Sequence, residues 1–195
     1  MKKLLPALFC ILSLPLAAQN PDVSLLLSFN HYHTPGLNKL MLGFTRTQAE
    51  VVSGVPLGLM LEGKLDHQPE ICHEGLKSVC SVAGATLISY GLKKIIQRPR
   101  PYTTGIPGLV TLEKEKGLSM PSGHTTSTFA LCVSLCASNP GKWELMVPAL
   151  LYASLIGYSR MYVGVHYPSD VLVGALVGTA TALVTQKLFN RFPGL

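Results

Sequence analysis

Four stretches of the chain carry no Lys, Arg, Asp or Glu: residues 78–92, 117–141, 145–159 and 171–186. The second of these holds one imidazole, His124, and a weaker apolar window at 51–61 lies between Glu50 and Glu62. Soluble helices normally carry a charged outer stripe, and these windows have none. They read as membrane helices rather than as the buried helices of a soluble domain. A 15-residue helix covers only about 23 Å of a hydrocarbon core about 30 Å thick, so flanking residues must extend each span. Lys and Arg at such ends can snorkel toward the surface. The windows are also rich in Gly, Ala, Ser and Thr, which let membrane helices approach closely. Strand signals are scarce. The pattern predicts an all-α bundle with helices near 46–62, 75–93, 124–139, 144–160 and 169–188. Turn residues predict a loop at 30–36 leading into a helix from Leu37, a polar turn at 63–74, and loops at 101–121 and 138–144.

Composition sharpens this picture. The 195 residues suit one domain; 48% are apolar and 13% charged, about half the soluble norm of roughly 25%. That excludes intrinsic disorder. The net charge of +6 forms no long basic stripe, which argues against a nucleic-acid partner. Met1-Lys2-Lys3, the apolar run Leu4–Ala18 and Ala17-Ala18-Gln19 make residues 1–19 a signal peptide or an uncleaved first membrane helix, ahead of a domain at 20–195. Five or six spans follow from that choice. Either reading places the residues after 20 on the outer side of a bacterial inner membrane. Cys132 and Cys136 are i, i+4 on an apolar helix and no C-x-x-C occurs, so the cysteines are given no chemistry.

Alternation of the spans brings the ends near 93–124 and 160–170 together on the outer, periplasmic face. Positive charge is expected on the inner side instead, yet Lys93, Lys94, Arg98, Arg100 and Arg160 crowd these outer ends. Cations held together at a membrane boundary point to an anionic ligand.

Three clusters fall there. Lys93-Lys94-Ile95-Ile96-Gln97-Arg98-Pro99-Arg100-Pro101 concentrates four cations, with no acid between Glu74 and Glu113. Guanidinium forks hold phosphate oxygens in pairs, although the cluster taken alone is also an ordinary basic flank of a membrane helix. Pro121-Ser122-Gly123-His124 offers Ser122 as an N-cap and Gly123 for close backbone approach, with His124 just inside a helix start whose free amides favour an anion. Ser159-Arg160 is followed by His166 and then Tyr167-Pro168-Ser169-Asp170. Pro168 suits the first helical position, which puts Asp170 in the first turn, placed to hold one nitrogen of His166 and present the other. A structural alternative pairs Arg160 with Asp170 and leaves His166 as a cap. An Arg, a His and an Asp at a membrane boundary are costly without use.

In combination these residues resemble the type 2 phosphatidic-acid phosphatase family, which shares its site with vanadium haloperoxidases and class A acid phosphatases. The family pattern Lys-x6-Arg-Pro, Pro-Ser-Gly-His and Ser-Arg-x5-His-x3-Asp is met in order between Lys93 and Asp170. The resemblance implies that His166 attacks phosphorus to form a phosphohistidine, that Asp170 orients it, and that His124 protonates the leaving oxygen. Lys93, Arg100, Arg160, Ser122 and the Gly123 amide would then hold the phosphoryl oxygens, with no metal and no cofactor.

The expected activity is a membrane phosphatase acting on lipid phosphate monoesters or pyrophosphates at the periplasmic face. Undecaprenyl pyrophosphate, phosphatidylglycerol phosphate, phosphatidic acid and lipid A lie within the family's range. A soluble periplasmic non-specific acid phosphatase is the enzymatic alternative, and an anion carrier the non-enzymatic one. Loop 102–120, with Glu113-Lys114-Glu115-Lys116 near its end, leaves no room for a separate specificity domain. His31 with His33, and His67 with His73, lack a third ligand at a recognisable spacing and read as solvated loop residues.

Overall fold

A computed structural model describes residues 19–192. Among them are six α-helices, one 3-10 turn and no strand: α1 (Gln19–Phe29), α2 (Pro35–Leu65), α3 (Pro69–Ile96), the turn Pro101–Thr103, α4 (Gly123–Ser138), α5 (Trp143–Tyr162) and α6 (Pro168–Arg191). The expected signal peptide or first span lies outside the described residues.

The helices from α3 onward follow the charge-free windows. Two prolines shift the earlier boundaries. Pro35 opens α2 at its first turn, and the Thr34 hydroxyl accepts the Leu37 amide at 3.2 Å, so the expected loop ends two residues early and the helix from Leu37 runs on through the one expected near 46–62 as a single helix of 31 residues. Pro69 likewise starts α3, shrinking the expected turn at 63–74 to Asp66-His67-Gln68. Gly75 of α3 lies against the Pro56 carbonyl of α2; a Cβ there would be 2.7 Å from that oxygen.

Small and hydroxylated residues fill much of the interior, and many leucines face outward. Thr125, Thr126, Thr128, Ser78, Ser81 and Ser134 are buried, while Leu57, Leu87, Leu151, Leu172 and Leu176 are exposed. The Gln48 amide donates to the Ser127 hydroxyl at 2.9 Å, and Ser78 donates to Ser134 at 3.2 Å, tying α2 and α3 to α4. Such a distribution suits lipid outside and close helix packing within. Two stretches, Pro69–Thr103 and α6, are long and apolar enough to cross a membrane. Only 17% of each apolar window is buried in the protein, which separates them from the core helices of a soluble domain.

Helix α4 is the central element. Its 16 residues rise only about 24 Å, but they are mostly buried among the others, so lipid thickness does not set its length. It touches α6 almost backbone to backbone: a Cβ on Gly174 would lie 2.9 Å from the Ser122 carbonyl oxygen. That approach fixes the start of α4 against the start of α6. The Ser122 amide donates to the Asp170 carbonyl at 3.0 Å, and the Ser119 amide to the Arg98 carbonyl at 2.8 Å. The end of α3, the start of α4, the end of α5 and the start of α6 therefore share one end of the bundle, as the alternation requires.

Helix α1, not anticipated from the sequence, packs beside α5 and α6 through Leu26, against Met161 and Tyr167. At its end the buried Asn30 side chain donates to the Val110 and Tyr162 carbonyls at 2.8 and 2.7 Å and accepts the Val110 amide at 2.8 Å. One residue thus pins the long loop after α3 to the bundle.

Candidate active site

His166 stands in the turn between α5 and α6 and is 1% exposed. Its Nδ1 is 3.3 Å from Asp170 Oδ2, and its Nε2 is 3.2 Å from a terminal nitrogen of Arg100. Arginine can only donate, so Nε2 is the ring's lone pair and Nδ1 carries the proton toward Asp170. Asp170 is itself fixed on every side. Its Oδ2 also accepts the Tyr167 amide at 2.9 Å and the Ser119 hydroxyl, and its Oδ1 accepts from Arg98 at 2.9 Å.

Burial pushes the imidazole of His166 down to about 4, against the pull of Asp170 and with help from Arg100 and Arg160. The ring is protonated only below that value, so it stays neutral across the working range. In ring-labelled protein followed by NMR, His166 should remain neutral at pH 5. An ordinary imidazole, near 6.5, would be almost fully protonated there.

The basic cluster divides into different tasks. Arg100 donates to the Gly117 carbonyl at 3.1 Å and the Val165 carbonyl at 3.2 Å, and reaches Glu115 Oε2 at 2.9 Å. Lys93 Nζ donates to the Leu118 and Ser119 carbonyls at 2.7 and 3.2 Å, leaving one of its three protons uncommitted. Arg98 turns away from this group: it bridges Asp170 to Asp22 of α1, with Asp22 Oδ2 at 2.6 Å. Lys94 lies over the Tyr90 ring, 5.3 Å from its centre.

Arg160, at the end of α5, is fully buried. It does not pair with Asp170; its guanidinium donates to Thr45 of α2 and to Glu115 Oε1. Its Nε has no hydrogen-bond partner among the described residues. His124 is less enclosed, with 30% of its side chain exposed and Nδ1 3.7 Å from Glu115 Oε1. Ser122 occupies the N-cap position of α4 but makes no side-chain cap bond; its hydroxyl accepts from Thr125 at 2.9 Å. The first backbone bond there runs from the Thr126 amide to the Ser122 carbonyl. The amides of Gly123, His124 and Thr125 therefore lie outside the helical ladder.

All eight expected site residues thus fall at one end of the bundle. The sequence reading named Arg98 only within the basic cluster and Glu115 only within the loop, and gave neither of them, nor Ser119 or Asp22, a role in the site. Glu115 holds the midpoint of the cation group. Burial would raise its carboxyl, but Arg160, His124 and Arg100 outweigh that and hold it below the usual range.

Fold and site together define an all-helical, membrane-type protein with two histidines and a group of cations at one end. The chain belongs to the PAP2 superfamily, whose family model matches residues 74–193. It is 29% identical over 174 residues to an undecaprenyl-diphosphatase of Sulfolobus acidocaldarius, covering 89% of this chain and 80% of that one. A lipid A 4'-phosphatase of Bacteroides thetaiotaomicron is 26% identical over 162 residues, covering 80% and 72%. The crystal structure of a transmembrane PAP2-type phosphatidylglycerolphosphate phosphatase from Bacillus subtilis shares the fold, with a TM-score of 0.76 at 24% identity over 95% of this chain and 94% of that one.

Proposed function

We propose that this protein is a lipid phosphatase that removes a terminal phosphate from a monoester or pyrophosphate headgroup through a phosphohistidine on His166. One observation carries the reading: the unprotonated Nε2 of a neutral, Asp170-held imidazole lies 3.2 Å from Arg100, which shares Glu115 with Arg160 and His124. Nε2 attacks phosphorus, the bond from phosphorus to the leaving oxygen breaks, and His124 supplies the proton that oxygen takes. Water then attacks the phosphohistidine, His124 recovers a proton from it, and inorganic phosphate leaves. Arg100, Arg160, Lys93 and the amides at the start of α4 balance the charge on the phosphoryl oxygens, the main demand of phosphoryl transfer.

A lipid substrate is supported by the outward leucines and by relatives named for lipid diphosphates and lipid A. The inner membrane, with the site on its periplasmic side, is supported by the basic, apolar start of the chain and by helix alternation. The test is phosphate release by detergent-purified protein from a panel of prenyl pyrophosphates, lipid A, phosphatidylglycerol phosphate, phosphatidic acid and soluble esters. Turnover of lipid substrates, blocked by vanadate, is the expected result. Activity on soluble esters alone, from protein recovered in osmotic-shock fluid without detergent, would favour a soluble acid phosphatase.

A further inference from the structure

The place that the reaction needs for a phosphoryl group is filled by the chain itself. Glu115 puts one carboxylate oxygen on Arg160 and the other on Arg100 Nη1 at 2.9 Å, with His124 Nδ1 3.7 Å away. The same Arg100 nitrogen lies 3.2 Å from His166 Nε2. An oxygen bound there is next to the nucleophile, so carboxylate and phosphoryl group cannot share the position. From this geometry we infer that Glu115 is an internal competitor of phosphate: it occupies the cradle between turnovers, yields to a phosphorylated substrate, and returns as inorganic phosphate leaves.

The surrounding chain allows that exchange without moving the loop. Its backbone is held on both sides, by the Leu112 amide on the Val163 carbonyl at 3.1 Å and by Arg100 Nε on the Gly117 carbonyl at 3.1 Å. The Tyr102 hydroxyl also holds the Glu115 carbonyl. What remains free to turn is the side chain, which keeps 22% of its surface exposed, between the exposed Lys114 and Lys116 in sequence. Rotation about its side-chain bonds can take the carboxylate from the buried arginines out to solvent.

Charge decides when the exchange is favourable. A terminal phosphate dianion brings one more negative charge to the arginines than the carboxylate it displaces. A phosphodiester brings the same single charge and gains nothing. The Arg160 Nε, buried and unpartnered, offers a donor to a tetrahedral anion that the planar carboxylate does not use. The competitor therefore weakens all phosphate ligands alike, as a uniform binding penalty does, and leaves phosphodiester headgroups below the threshold for entry.

This inference rests on the phosphatase reading and is tested separately from it with Glu115→Gln and Glu115→Ala. Removing a competing charge-assisted pair should tighten inhibition by inorganic phosphate by about 10- to 100-fold. KM for a phosphomonoester should fall with it, and bis(nitrophenyl) phosphate should begin to inhibit. Phosphate release slows as its affinity rises, so kcat should stay level or fall. If wild type turns over substrate but both variants bind phosphate no more tightly, the inference is wrong and the phosphatase reading stands. Lower kcat with unchanged KM and phosphate inhibition would likewise overturn it, making Glu115 a positioning residue for His124. Wild-type protein that neither binds phosphate or vanadate nor releases phosphate would instead refute the underlying reading.

Discussion

Replacing His166 with alanine is expected to abolish turnover and covalent phosphate labelling together. The imidazole Nε2 beside Arg100 is the one lone pair of a buried histidine directed at the cation group, and nothing adjacent replaces it. Loss of a nucleophile acts on the scale of roughly 10⁵–10⁶-fold in kcat. The companion variant Asp170→Asn keeps the shape but sets an amide among donors, since that carboxylate accepts from His166, Tyr167, Ser119 and Arg98. It should slow labelling without eliminating it. Full-rate, acid-labile labelling of the His166→Ala protein would remove the histidine from this role.

The parts of this site that the sequence made legible are those built from neighbours along the chain. His166 and Asp170 meet because they are four residues apart around a helix start opened by Pro168. Ser122 to His124 could be placed because a charge-free helix begins there. The helices were legible for the same reason: a lipid-facing or buried helix has nowhere to put a charge. Their boundaries were less so, because Pro35 and Pro69 read as breakers when met in a polar segment and act as first-turn residues in the fold. Helix α1 was hidden by its polar start and modest length.

The unread parts come from long-range contacts. Arg160 finds Thr45 across the chain from α2, and Asp22 of α1 reaches both Ser169 and Arg98. No local pattern encodes such pairs. Glu115 was hidden differently, within an alternation of acids and lysines that looks like a solvated loop. A charge balance over the segments gathered at this end was the available signal. Lys93, Arg98, Arg100 and Arg160 meet there at least partly buried, and buried cations at a membrane boundary need acids to face them. Glu113, Glu115 and Asp22 are those that do, beside Asp170.

Removing His124 should give a different kind of loss. Its imidazole lies at the helix start, 30% exposed on the side chain, with Nδ1 3.7 Å from Glu115 Oε1 rather than in the 3.3 Å contact that Asp170 makes with His166. Alanine there leaves Arg100, Arg160, Lys93 and the nucleophile in place, so substrate binding and labelling chemistry remain possible. What is lost is the proton for an alkoxide or phosphate leaving oxygen. General acid help contributes about 10²–10⁴-fold, and kcat on a lipid phosphate should fall by that much. A nitrophenyl ester leaves as a stabilised phenolate and needs little protonation. With it the His124→Ala defect should shrink, while the His166→Ala defect should not, because attack on phosphorus is required whatever departs. The ratio of the two substrates, measured in each variant, therefore reads the role directly and is insensitive to a general loss of folded protein. Equal losses on both esters in both variants would mean that the histidines do not divide the reaction. A label that survives in His166→Ala and vanishes in His124→Ala would reverse the assignment, putting the nucleophile at the start of α4.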